Sequence, residues 1–129
     1  LDGFPENIRH FIADHIGSVS ELETLLLLRH RSDQAWTAAA VAREMYVPVE
    51  TAATHLSRFA SVGLLTLSAG PDGPAYSYAP RSAELDKLTG ALADLYRERR
   101  VAVISLIYSG PIEKVRSFAD AFRLRRRED

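Results

Sequence analysis

The stretch that decides the fold is residues 36–67, WTAAAVAREMYVPVETAATHLSRFASVGLLTL. Its punctuation spells helix, tight turn, helix and then the start of a β-hairpin. Thr37 is a good N-cap, because its hydroxyl can accept a hydrogen bond from a backbone N–H that has no partner inside the helix. Trp36 before the cap and Val41 inside the helix can pack as a hydrophobic staple. Val47-Pro48 interrupts, since a residue before proline is pushed out of the helical region while proline itself suits a first helical position. A second helix is expected from Pro48 to about Val62. Gly63 ends it as a left-handed cap.

Taken at 100° per residue, the second helix puts Val49, Ala52, Ala53, Leu56, Phe59 and Ala60 on one side, the core side. Thr51, Thr54, Arg58 and Ser61 point the opposite way, with Glu50 and His55 on the flanks. A helix displaying short polar residues and an arginine suits a DNA major groove, where such side chains reach base edges. The hairpin is read as Leu65 to Ser68, the turn Gly70-Pro71-Asp72-Gly73, and Ala75 to Ala79, with Tyr76 and Tyr78 on one face. Proline, aspartate and glycine in that order are tight-turn chemistry.

These residues resemble the winged helix-turn-helix domain of bacterial transcription regulators, of MarR-like or ArsR-like type. The match rests on Ala42, on Val47 and Pro48 at the turn, on Leu56, and on Gly63-Leu64-Leu65 leading into the hairpin, over roughly residues 20–79. The resemblance implies that the helix from Pro48 to Val62 is the recognition helix and the hairpin tip is the wing. On that basis Thr51, Thr54, His55, Arg58 and Ser61 are the expected DNA contacts, and Gly70, Asp72 and Gly73 the wing contacts.

Charge pulls the other way. DNA affinity comes largely from Lys and Arg neutralising phosphates. Residues 1–80 carry five basic groups, Arg9, Arg29, Arg31, Arg43 and Arg58, against nine acidic ones, a balance of −4. The wing tip offers Asp72 and no cation, and Glu50 stands near the start of the presumed recognition helix. An alternative is therefore a winged-helix adaptor that binds protein, for instance a component of the transcription machinery, without binding DNA.

Around this centre lie further helices. Pro5 to Ile16 repeats Ile8, Phe11, Ile12 and Ile16 as an amphipathic stripe. Ser18-Val19-Ser20-Glu21 forms a capping box, and Ser20 with Glu23 would serve equally well; the helix from Glu21 to Arg31 is apolar nearly all round, so it belongs at the centre of its domain. After Pro80 the balance changes to eleven basic and eight acidic groups over residues 81–129. Leu85, Leu88, Leu92, Leu95, Val103 and Ile107 hold helical spacing over a long span. Residues 101–108, VAVISLIY, are apolar and β-branched enough for a strand, but the unbroken stripe assigns them to the same helix. Gly90 inside it is expected to mark a close approach of another helix. After Ser109-Gly110-Pro111 a last helix carries Ile112, Val115, Phe118, Ala119 and Phe122, and ends in Arg123-Leu124-Arg125-Arg126-Arg127.

The expected fold class is mainly α with a small β-hairpin: a winged helix-turn-helix domain with an N-terminal helix over residues 1–80, and C-terminal helices over residues 81–129. The excess of apolar surface on those helices points to a homodimer with Leu92, Leu95, Val103, Ile107, Phe118 and Phe122 at its interface. The alternative is an extension folded back on its own domain.

Other function classes find little support. With 129 residues, 47% hydrophobic and 26% charged, the chain has an ordinary globular composition. It has no cysteine, which removes disulfides and thiol catalysis, and a cytoplasmic location is expected. No apolar run approaches the roughly 18 residues of a membrane span. Glycine-rich phosphate loops and hydrolase signatures are missing, so no enzyme is expected. His10 and Asp14 lie four apart with His15 beside them, but polar residues on the wet side of a helix explain them. No metal site and no cofactor is expected. The expected function is a dimeric, DNA-binding transcriptional regulator with double-stranded DNA as partner.

Overall fold

The computed structural model describes residues 4–109. Helix α1 (Glu6–His15) buries Ile8, Phe11 and Ile12. Helix α2 (Val19–His30) starts at Ser18, whose hydroxyl accepts the Glu21 N–H at 3.1 Å. The Glu21 carboxylate reaches back to the Gly17 N–H at 2.9 Å, one residue before the partner of a standard capping box. Leu22, Leu25 and Leu28 are fully buried, and Thr24 beside them donates its hydroxyl to the Ser20 carbonyl at 2.8 Å. A helix buried on so many sides must be packed by neighbours on several faces.

Helix α3 (Ala38–Met45) is capped by Thr37, which accepts the Ala40 N–H at 3.1 Å. Tyr46 ends it in the left-handed region, at φ 58°. Helix α4 (Val49–Ser61) follows with Pro48 as its extended N-cap, one position before the first-turn place expected. Gly63 has φ +88°, and a Cβ there would lie 2.6 Å from Arg81 Cδ. Both facts require glycine. Strands β1 (Leu65–Gly70) and β2 (Gly73–Tyr78) pair antiparallel from Leu65↔Tyr78 to Gly70↔Gly73, so the turn proper is Pro71-Asp72. Trp36 adds one rung beside β2, exchanging two 2.7 Å backbone hydrogen bonds with Tyr76.

Helix α5 (Ala83–Glu98) is capped by Ser82, which accepts the Leu85 N–H at 3.1 Å. Residues 101–108 are helical, as expected, but not as a continuation of α5: the backbone breaks at Arg99, φ −134° and ψ 56°, and a new helix, α6, takes in residues 100–109. A straight helix over the whole span would be roughly 40 Å long, longer than a small domain is wide. The break lets Val103 and Ile107 join Leu92 and Tyr96 in the core that also holds Phe4, Ile8, Leu22, Trp36, Leu56 and Phe59. Polar contacts fasten the joint. Tyr96 donates its hydroxyl to Glu23 at 2.7 Å, Arg100 donates to the same carboxylate at 3.0 Å, and the Arg99 guanidinium stacks over Phe4 at 4.8 Å. At Gly90 it is a side chain, the Arg29 guanidinium, that comes close.

Candidate nucleic-acid interface

The turn between α3 and α4 is built by Tyr46, whose left-handed backbone reverses the chain, and by the Val47 N–H donating to the Ala42 carbonyl at 3.1 Å. The Tyr46 side chain is 94% exposed. Ala52, Leu56 and Phe59 seat α4 on the core with no residual exposure, and this fixes which side faces out. The exposed row is Glu50, Thr54, Ser57 and Ser61, residues three, four and seven apart on one helix face. Val49 is also out, 52% exposed, against its expected place on the core side; at the first turn of α4 the core has not yet begun.

The expected contacts divide. Thr54 and Ser61 are exposed and Thr51 is half-buried. Thr54 donates its hydroxyl to the Glu50 carbonyl at 3.0 Å and Ser61 to the Arg58 carbonyl at 2.7 Å, leaving their oxygen lone pairs outward as acceptors. His55 does not belong to the outer surface. It is buried, 8% exposed, and burial first, then Arg58, lowers its pKa against the pull of Glu21. Arg58 is turned inward as well. Its guanidinium donates to the Glu21 carboxylate and to the His15 carbonyl. The flank of α4 is covered by the α1–α2 junction, so the polar face is narrower than the sequence suggests and centred nearer Glu50. Ser57 was missing from that reading, although its spacing between Thr54 and Ser61 marks it.

The wing is separated from α3 and α4 by a groove that Ala53, and not the exposed row, lines on the α4 side. Gly70, Pro71, Asp72 and Gly73 make its tip, with Asp72 exposed. A groove of about 400 Å³ is lined by Thr37, Arg43 and Ala53 from the helical side and by Asp72, Pro74 and Tyr76 from the hairpin. Arg43 and Asp72 are exposed at this groove, and Glu44 and Glu50 are exposed on α3 and α4 outside its lining.

The expected dimer contacts also move. Leu92, Val103 and Ile107 are buried in the chain's own core, at 0%, 0% and 2% exposure, so they cannot meet a second copy; the broken helix turns them inward. Leu95 is half-buried. Phe118 and Phe122, with the C-terminal arginine cluster, lie outside the described residues. Val101 and Tyr108, 76% and 65% exposed, stand on the opposite face of residues 100–109. At α1, His10 pairs with Glu6 at 3.3 Å and His15 packs edge-on against Phe11 at 5.1 Å. Among the described residues no group of three or more His, Cys, Asp or Glu could hold a metal ion, and no helix is long and apolar enough to cross a membrane.

Two helices joined by a tight turn, the second with an outward polar row, and a hairpin folded beside them decide the architecture. The fold is a winged helix-turn-helix. Neither a family model nor a curated protein matches the sequence, but solved winged helices match the structure. The homodimeric winged helix-turn-helix DNA-binding domain Mb0332 of Mycobacterium bovis, a possible ArsR-family transcriptional regulator, superposes with TM-score 0.54 at 16% identity, over 77% of this chain and 93% of that one. MepR of Staphylococcus aureus, a transcription regulator of the multidrug efflux pump MepA, gives 0.56 at 12% identity, over 91% and 85%. BpsR of Bordetella bronchiseptica, whose DNA binding is regulated by 6-hydroxynicotinic acid, gives 0.52 at 19% identity, over 95% and 82%.

Proposed function

We propose that this chain is a transcriptional regulator that binds double-stranded DNA as a homodimer, with α4 as the recognition helix of its winged helix. The observation that carries this reading is the exposed row Thr54, Ser57 and Ser61 on α4, the helix whose Ala53 lines the wing groove. Hydroxyl acceptors at that spacing suit donors on base edges in a major groove. Thr51 stands at the margin of the row, Arg43 supplies a phosphate contact, and Gly70, Asp72 and Gly73 follow the backbone. Arg58 and His55 hold α4 in place instead of touching DNA. For the dimer, Val101 and Tyr108 are the exposed apolar residues of α6, half-buried Leu95 of α5 is kept with them, and Phe118 and Phe122 are retained as partner contacts. A two-fold pair would present two recognition helices to a palindromic site. The location that goes with this function is the cytoplasm.

The test is selection of bound duplexes from a random-sequence pool, followed by fluorescence anisotropy with Ser57→Asp. The substitution puts a charge on the outer face without touching the core, and binding should fall at least tenfold with the melting temperature unchanged. Unaltered binding would remove α4 from the interface.

A second reading is favoured by the exposed acidic residues Glu44 on α3, Glu50 on α4 and Asp72 at the wing tip: a winged-helix adaptor for a protein partner of the transcription machinery. Glu50→Lys separates the two. It strengthens DNA association in the first reading, and disrupts the protein complex in the second.

A further inference from the structure

Arg58 ties α4 to both preceding helices. Its guanidinium donates to the Glu21 carboxylate of α2 and to the carbonyl of His15, the last residue of α1. The same Glu21 oxygen accepts the Gly17 N–H at 2.9 Å. One carboxylate thus closes the α1–α2 turn and holds α4 against it. Two histidines flank this point. The Nδ1 atoms of His15 and His55 are both shut off from solvent and have no hydrogen-bond partner.

A neutral imidazole tolerates this, since its unprotonated nitrogen leaves only an acceptor unmatched. An imidazolium does not, because protonation turns that nitrogen into a donor and adds a buried charge. The charged groups around them oppose one another. His55 feels Glu21 and Arg58, and His15 feels Asp14 and Arg58, with Arg81 and Glu84 lining the cleft beside His15. Protonated His55 would also compete with Arg58 for the Glu21 carboxylate.

We propose that Arg58, Glu21, His15 and His55 form a proton-operated clamp on α4: with both imidazoles neutral the Arg58–Glu21 pair seats the helix, and protonation loosens it. Arg58 is then a positioning residue for whatever the outer face of α4 binds. The sign follows from burial, which is the first cause lowering both histidines below 6.5. A base whose folded-state pKa is depressed stabilises the fold fully above its unfolded value, and that stability is lost as pH falls through the folded value. Within this window each histidine changes the opening equilibrium by up to roughly tenfold per pH unit.

The consequence for a regulator rests on the function proposed above, but the clamp does not, so it is measured without DNA. Amide hydrogen exchange, corrected for intrinsic rates, would follow residues 49–61 and the α5 amides from about pH 7.5 down to about pH 5. Below the unfolded value of 6.5, protection of α4 should fall by up to roughly tenfold per pH unit for each histidine while α5 holds. In Arg58→Met it should be low already at the upper pH and nearly independent of pH. Imidazole Cε1 shifts of the unaltered protein provide a readout that needs no variant: His15 and His55 should titrate below 6.5. Protection of α4 that stays flat, or falls only in step with α5, overturns the clamp. So does titration of both histidines at or above the ordinary value.

Discussion

Replacing Arg58 by alanine discriminates sharply between two roles for one side chain. If Arg58 reached DNA, its loss would weaken binding and leave the fold untouched. In the structure it is instead a joint between α4 and the α1–α2 turn. Well-buried hydrogen bonds to charged groups contribute about 1.5–3 kcal/mol, and exposed ion pairs about 0–1 kcal/mol. The Arg58 side chain is 36% exposed and that of Glu21 18%, so this pair falls between, at about 1–2 kcal/mol. For a chain of 129 residues, 1 kcal/mol shifts the melting temperature by roughly 4 °C. Arg58→Ala should therefore lower it by about 4–8 °C. Glu21→Gln should cost less, because an amide oxygen can still accept the Gly17 N–H. The double variant should melt close to Arg58→Ala alone, with a coupling of about 1 kcal/mol. Scanning calorimetry on the four proteins completes the cycle. Unchanged melting in Arg58→Ala together with lost DNA affinity would refute this account and restore Arg58 to the outer surface.

Other consequences can be checked with the same instruments. Gly63→Ala and Gly90→Ala should shift stability in opposite directions on a melting curve. At Gly63 the backbone is left-handed and the new Cβ meets Arg81, costing about 1–2 kcal/mol. At Gly90 the neighbour is the end of the Arg29 side chain, which can swing aside, and better helix propensity gains up to about 1 kcal/mol. Tyr46→Gly removes the left-handed strain of a non-glycine residue, about 1–2 kcal/mol, against an unfolded-chain entropy penalty of about 0.4–1 kcal/mol, so a small rise in melting temperature is expected. Tyr78 and Tyr96 are both pushed up to about 12, by burial first and then by hydrogen bonds to Asp86 and Glu23. An ultraviolet titration should show these two ionising late, and the stability they confer should be full below pH 10.0 and lost as pH rises towards about 12.

Much of the fold is written in short-range chemistry. Thr37 and Ser18 cap their helices, Gly63 stops α4, and the hairpin turns at Pro71-Asp72, because each depends on groups within four residues of one another. The buried side of α4 was equally legible at Ala52, Leu56 and Phe59. What escaped was set at long range. Arg58 and Glu21 are 37 residues apart, and nothing in the periodicity of α4 shows that a second helix junction covers its flank. The break at Arg99 has the same origin, since the apolar spacing of residues 85–107 is compatible with one straight helix. Only the limited length of the core makes it bend and bury Val103 and Ile107. That also relocates the proposed partner surface to Val101 and Tyr108.

The most direct test of the central claim is the salt dependence of binding to duplexes selected from a random-sequence pool, measured by anisotropy for the unaltered protein and Glu50→Lys. A DNA-binding α4 predicts specific binding whose affinity falls linearly with log salt, and for Glu50→Lys tighter binding and a steeper slope, by up to roughly one phosphate contact. Failure to enrich any duplex, with no gain from Glu50→Lys at low salt, would contradict it and leave the acidic face of the winged helix to a protein partner.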